Sequence, residues 1–159
     1  MASLIAVLDL KGKPLIQRSY RDDVNPAYIE RFLPLVLEIE EDGQQVTPCF
    51  TNNGVNYMHI RHSNLYSGFW KWFLSWTMYW LYLRLIYIQV LALSRRNTNA
   101  TEIIIFLHRF VSVLIEYFKE LEEESIRDNF VIIYELMDEM MDFGFPQTTE
   151  SKILQEYDS

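Results

Sequence analysis

Three histidines, one cysteine and several carboxylate clusters are the side chains in these 159 residues whose types and spacing could do chemistry. His59 and His62 stand three apart in a segment that reads as a hairpin strand, where that spacing turns them to opposite faces. No cysteine or acid lies near enough in sequence to complete a ligand set, so they read as two polar residues on a strand. His108 falls in an apolar helical stretch and reads as a hydrogen-bonded or boundary histidine rather than a catalyst. Cys49 has no sequence partner that would activate it as a nucleophile, and a small buried cysteine is common. Glu135, Asp138, Glu139 and Asp142 recur at i, i+3, i+4 and i+7 and so share one helix face. Such oxygens could hold a hard cation, but the solvated side of an amphipathic helix accounts for the pattern better. Glu120, Glu122, Glu123 and Glu124 sit between two helices, where acids favour a helix N-terminus. Gly12-Lys13 lacks the glycine spacing and the following hydroxyl of a phosphate loop. The expectation is a non-enzyme with no catalytic, cofactor-binding or metal residues, and no partner-binding residue stands out.

Composition narrows the function classes further. A length of 159 residues suits one domain with a real core. The formal charge of −8 argues against sequence-independent nucleic-acid binding, which depends on clustered Lys and Arg. A single cysteine excludes a disulfide scaffold and suits a reducing compartment. The N-terminal MASLIAVLDLKGKP has no basic region ahead of its apolar run, so no secretory signal is expected.

The elements that would position these side chains are legible from patterning. Ser3–Leu10 is a nearly unbroken apolar run, as for a strand covered on both faces. Lys11-Gly12-Lys13 forms a turn and Pro14–Arg21 the return strand. Asn25-Pro26 resembles an N-cap followed by proline at the first helical position. Ile29, Phe32, Leu33, Val36 and Ile39 follow at helical spacing up to Gly43, with Pro34 expected to kink or shorten the helix. Thr47–Asn52 and Val55–His62 flank Asn53-Gly54, a strong hairpin signal, and Val90–Leu93 reads as the end of another strand. Asn99 and Glu102 form a capping box. The helix from Thr101 to about Lys119 has a wide apolar face of Ile103, Ile104, Phe106, Leu107, Phe110, Val111, Leu114 and Phe118. Ser125 with Asp128 marks a last helix, its inner face Ile126, Phe130, Ile133, Met137 and Met141, ending at Gly144. The order is β-β-α-β-β-β-α-α, an α/β (α+β) sheet with helices on its faces and no internal repeat.

One stretch stands apart. Ser67–Gln89 contains all four tryptophans (Trp70, Trp72, Trp76 and Trp80), no acid, and only Lys71 and Arg84 as charges.

Several segments resemble the medium (mu) subunit of the Golgi and endosomal clathrin adaptor complex. Glu116–Tyr157, EYFKELEEESIRDNFVIIYELMDEMMDFGFPQTTESKILQEY, carries the most specific likeness. Ala6–Val24, the FLPLVLEIEEDG helix end and Gly54–Tyr66 agree with it. The resemblance implies a longin-like fold over residues 1–157: a five-stranded antiparallel sheet with one helix on one face and two on the other. It implies a non-enzymatic assembly role beside beta-type and gamma-type large chains and a sigma-type small chain in a heterotetramer. Indirect partners would be clathrin and an Arf-type small GTPase. Localisation would be cytoplasmic, peripheral on Golgi and endosomal membranes and on clathrin-coated vesicles. The cargo-reading C-terminal mu homology domain of that family is expected to be absent, and Asp158-Ser159 departs from the family pattern.

Ser67–Gln89 is the second departure. Removing it joins Asn64-Leu65-Tyr66 to Val90-Leu91-Ala92-Leu93, a continuous strand central in the sheet, whose ladder a mid-strand loop should break. Three readings follow. As a membrane anchor under a cytosolic longin-like cap, the stretch has only Trp72–Leu83 free of charge, short of the ~20 residues a span requires. As a loop touching lipid or a partner, it offers Trp and Tyr, which favour interfaces. As translated intron, the favoured reading, its 23 codons excise without changing the frame. In a chain that retains it, Leu85–Gln89 has the β-propensity to extend the strand backwards from Val90, with Ser67–Leu83 extruded.

Overall fold

The computed structural model describes residues 2–63, 87–95, 99–119, 121–142 and 145–146. Strands β1 (Leu4–Leu8), β2 (Pro14–Ser19), β3 (Cys49–Asn52), β4 (Val55–Ser63) and β5 (Tyr87–Ser94) form one antiparallel sheet. Their order across it is β2-β1-β5-β4-β3. Helix α1 (Ala27–Glu41) lies between β2 and β3 in sequence, and α2 (Ala100–Phe118), α3 (Glu123–Asp128) and α4 (Phe130–Met140) follow β5. A two-residue ribbon, β6 (Met141–Asp142) with β7 (Phe145–Pro146), closes the described chain.

Alternation along the central strands divides the core in two. Leu4, Ala6, Leu8, Tyr57, Leu91 and Leu93 meet Ile29, Phe32 and Val36 of α1. Ile5, Val7, Met58, Ile60, Val90 and Ala92 meet the apolar sides of α2, α3 and α4 on the opposite face. Residues 2–8 are all buried, as expected of a strand covered on both sides.

Local signals explain most boundaries. Asn53 and Gly54 both take positive φ (51° and 74°), the geometry of a tight two-residue hairpin turn. Asn99 Oδ1 accepts from the Glu102 amide at 3.3 Å and starts α2. Asn25 Oδ1 accepts from the Ala27 amide at 2.9 Å, and Pro26 already has helical φ and ψ, so asparagine caps and proline opens α1. The β1–β2 turn is held by Asp9, whose Oδ1 accepts from the amides of Lys11 (2.8 Å) and Lys13 (2.9 Å).

The structure corrects several expectations. Pro34 does not shorten α1, which runs unbroken from Ala27 to Glu41. Both Pro34 and Glu30, whose carbonyl the proline leaves unmatched, lie on the exposed side, where water can satisfy it. The β3 strand starts at Cys49 rather than Thr47: Pro48 has no N–H to give a ladder, and the Thr47 hydroxyl reaches forward to donate to the Cys49 carbonyl at 2.7 Å. The last helix begins at Glu123, before Ser125, and is broken at Asn129 (φ −121°, ψ 28°) into α3 and α4. The break rotates Phe130 off the inner face: it is 53% exposed, while Ile126, Ile133 and Met137 remain buried. The α4 helix ends at Met140 rather than Gly144, since Met141-Asp142 pairs with Phe145-Pro146. Three helices, not two, therefore cover the second face.

The central strand is intact. β5 pairs with β4 from Asn56↔Ser94 to Ser63↔Tyr87 and with β1 from Leu4↔Leu93 to Leu8↔Gln89. Tyr87, Ile88 and Gln89 come from the Trp-rich stretch, so its own end completes the strand and the ladder is not interrupted. The rest of that stretch, with Leu85 and Ile86, lies outside the described residues.

Candidate docking faces

The residues with chemical potential are dispersed by the fold. On β4 the alternation that sends Met58 and Ile60 to the α2 side puts Tyr57 and His59 on the α1 side, so His59 and His62 face apart. His59 Nε2 lies 3.0 Å from the Thr47 carbonyl, and its ring meets Phe32 edge-on at 5.0 Å. Burial holds its pKa below the ordinary 6.5, with Arg61 adding to the shift and the Thr47 hydrogen bond opposing it. His108 is exposed on α2. Cys49 pairs across to Met58 and packs as a small apolar group on the α2-side core. Among the described residues no three His, Cys, Asp or Glu side chains converge into a group that could hold a metal ion.

The depressed pKa of His59 has a testable consequence. The folded chain prefers the neutral imidazole, so the unfolded chain takes up the proton first as pH falls below 6.5. Stability contributed by neutral His59 is complete above that value and declines on acidification toward the lower folded pKa. The urea midpoint should fall between pH 7.5 and 5.5. In His59→Gln, which can still donate to the Thr47 carbonyl, that fall should be smaller. An identical pH dependence would remove His59 as its source.

The acidic positions divide. Glu135, Asp138 and Glu139 are exposed along one side of α4, as a solvated face requires, whereas Asp142 has left the helix for β6. Asp138 does more than face water. Its carboxylate takes Arg18 of β2 in a two-point pair, Nε to Oδ1 at 2.8 Å and Nη2 to Oδ2 at 3.0 Å. Beside it the Tyr20 hydroxyl donates to the Met137 carbonyl at 3.1 Å. Burial, reinforced by the Asp138 charge, raises the Tyr20 pKa and keeps that donor protonated. This clasp fixes α4 to β2, an edge strand. Glu123 and Glu124 occupy the first turn of α3, where Glu123 pairs with Arg127; Glu120 lies outside the described residues.

The described residues form shallow concavities. A cleft of about 440 Å³ lies where β4 runs on past the start of β3, lined by Glu40, Val46, His59, Arg61, Ile104 and His108. A groove of about 630 Å³ lies between the outer face of α1 and the β3–β4 turn, touching Glu30, Arg31, Pro34 and Asn52. Neither brings a nucleophile to a base. Among the described residues the exposed large apolar side chains are Leu37, Ile105, Phe130 and Val131, the last two adjacent at the start of α4 and more than half exposed. Periodicity assigned Phe130 to the core. The Asn129 break that turns it outward has no clear signal, because asparagine occurs both in helices and at their ends.

Among the described residues, no helix is long and apolar enough to cross a membrane. The anchor reading has no support in this fold, and residues 67–86, on which it depends, lie outside the described chain.

AP-1 complex subunit mu-1 of Schizosaccharomyces pombe is 50% identical over 157 residues, which are 99% of this chain and 32% of that protein. Human AP-1 complex subunit mu-2 is 48% identical over 156 residues, 98% of this chain and 31% of its own length. The chain thus spans about a third of the curated relatives it matches. Among solved structures, one chain of a homology model of the full-length AP-3 complex in a stretched open conformation shares the fold, with TM-score 0.60 at 15% identity. That likeness covers 99% of this chain and 90% of that one. The family model described as clathrin adaptor complex small chain matches residues 1–158, and the chain belongs to that family.

Proposed function

We propose that this chain is the N-terminal assembly domain of an AP-1-type medium subunit. Its role is non-enzymatic, in vesicle-mediated transport between Golgi and endosomes. The observation that carries the reading is identity of 50% and 48% to AP-1 mu subunits, spread over 99% and 98% of the chain. In this role the domain packs against beta-type and gamma-type large chains and a sigma-type small chain. Through them it meets clathrin and an Arf-type GTPase at the cytoplasmic surface of Golgi and endosomal membranes and on clathrin-coated vesicles. Phe130 and Val131 are the described apolar side chains best suited to such packing, since aromatic residues in particular anchor protein interfaces.

Co-expression with the large and small adaptor chains tests this reading. The chain should co-purify with them, and Phe130→Asp with Val131→Asp should reduce the recovered complex at least about tenfold, the loss of roughly one hot-spot residue. The isolated variant should unfold within about 0.5 kcal/mol of the parent, because both positions are at the surface and acids suit the first turn of a helix. Failure of the parent chain to co-purify would defeat the proposal.

A further inference from the structure

Tyr28 carries two arginines on its ring. Helical spacing from i to i+3 puts Arg31 beside it on α1, and Arg95 reaches it from the position just after β5. Their guanidinium carbons lie 5.1 Å and 5.7 Å from the ring centre, within cation–π range. Both arginines are exposed, and neither has a carboxylate partner among the described residues. Two like charges held on one ring repel each other, so the cluster is balanced only by an added anion.

The tyrosine itself is half-buried and its backbone is fixed. Its amide donates to the Asn25 carbonyl at 3.0 Å, and its carbonyl accepts from the Tyr57 hydroxyl at 3.4 Å. The Tyr28 hydroxyl meets solvent and makes no hydrogen bond to the described residues. A nucleophilic oxygen thus stands at the surface beside two cations that lack a counter-ion.

We propose that Tyr28 is a phosphorylation site, with Arg31 and Arg95 placed to receive the phosphate. The co-reactant is magnesium ATP on a protein tyrosine kinase. Tyr28 Oη attacks the γ-phosphorus and forms the new O–P bond. The bond from that phosphorus to the β,γ-bridging oxygen breaks, ADP leaves with its electron pair, and the phenolic proton passes to the kinase's catalytic base. The product carries a charge of about −2 and three acceptor oxygens at the outer end of the ring. Arg31 and Arg95 reach that end by turning about their own torsions, exchanging ring contacts for charge-assisted hydrogen bonds. One phosphate then ties the start of α1 to the end of β5 and neutralises a positive spot on the surface. The argument rests on this cluster and is independent of the adaptor role.

Two experiments on the full chain test the proposal. Incubated with a broad-specificity tyrosine kinase and magnesium ATP, the folded chain should gain phosphate at Tyr28, located by mass spectrometry. A synthetic peptide of residues 20–36 is the control. Labelling of the peptide alone means that the fold withholds the hydroxyl, and labelling of neither removes Tyr28 as an acceptor; either result overturns the proposal. Phosphotyrosine placed at position 28 by codon suppression then reports on the arginines. Its phosphorus resonance should titrate at least about one unit below the ordinary second pKa of about 6. The melting temperature should rise by about 2–4 °C. Arg31→Gln with Arg95→Gln should return the titration to about 6 and abolish the rise. A phosphate that titrates alike with and without the two arginines leaves them no role, and the proposal fails.

Discussion

Replacing Phe32 by alanine is expected to destabilise the domain by about 3–5 kcal/mol, in the range for large buried aromatics. Phe32 is fully buried where α1 crosses the sheet. Its ring lies 6.2 Å from Phe50, 6.3 Å from Tyr57 and 5.0 Å from His59, and Phe50 and Tyr57 stack on each other at 5.0 Å. Flat, stiff rings cannot collapse into the space that a missing neighbour leaves, so most of the cavity should persist. A domain of this size has roughly 5–15 kcal/mol in total, so the variant should be largely unfolded in moderate urea. Phe32→Leu, which fills part of the volume, should lose much less. Equilibrium urea unfolding measures both, and a loss below about 1 kcal/mol for the alanine variant would contradict this account of the α1 face.

The second large effect is expected at a turn. Gly12 has φ +77°, and a Cβ placed there would lie 2.8 Å from the Leu33 Cβ of α1. Gly12→Ala therefore meets two separate penalties. The left-handed backbone disfavours any L side chain by about 1–2 kcal/mol. Overpacking against a helix that carries the aromatic cluster adds about 1–3 kcal/mol. Gly54 isolates the first penalty, since its φ is +74° with nothing within 4 Å of a built Cβ. Gly54→Ala should show the backbone effect alone. Because the close atom at Leu33 is its Cβ, which alanine also has, Leu33→Ala should relieve Gly12→Ala only partly. Equal losses for Gly12→Ala and Gly54→Ala would mean that α1 yields without resistance.

Features that depend on a few neighbouring residues were legible in the sequence. The Asn53-Gly54 turn, the Asn99 cap and the two-sided burial of β1 each follow from local backbone and solvation preferences. The separation of His59 from His62 follows from strand alternation once the strand is recognised. What was not legible is long-range or balanced between alternatives. Arg18 and Asp138 are 120 positions apart, and nothing around either one marks its partner. The spacing of Glu135, Asp138 and Glu139 placed them on one face, but could not reveal that this side of α4 reaches the sheet edge. At the helix break the Asn129 Nδ2 donates to the Ser125 carbonyl at 2.9 Å, and an asparagine in the sequence does not by itself mark that choice. The family resemblance resumes at Val90 and so ends the unusual stretch at Gln89, whereas strand pairing takes up its last three residues, of which Tyr87 and Ile88 have ordinary strand character.

Strand order also sets a timetable for synthesis. β1 and β2 emerge first as one hairpin, and β3 and β4 as another, but neither pairs with the other. Their common neighbour is β5, which occupies the middle of the order β2-β1-β5-β4-β3 and ends at Ser94. At about 5–20 residues per second, two half-sheets must wait several seconds on the ribosome with one long edge of each unsatisfied. Residues 64–86 lengthen that wait by roughly one to five seconds at the same rate. The nascent chain is thus exposed to mispairing for longer, and a holdase acting between the appearance of Ser63 and that of Ser94 would shelter the edges that β5 later joins.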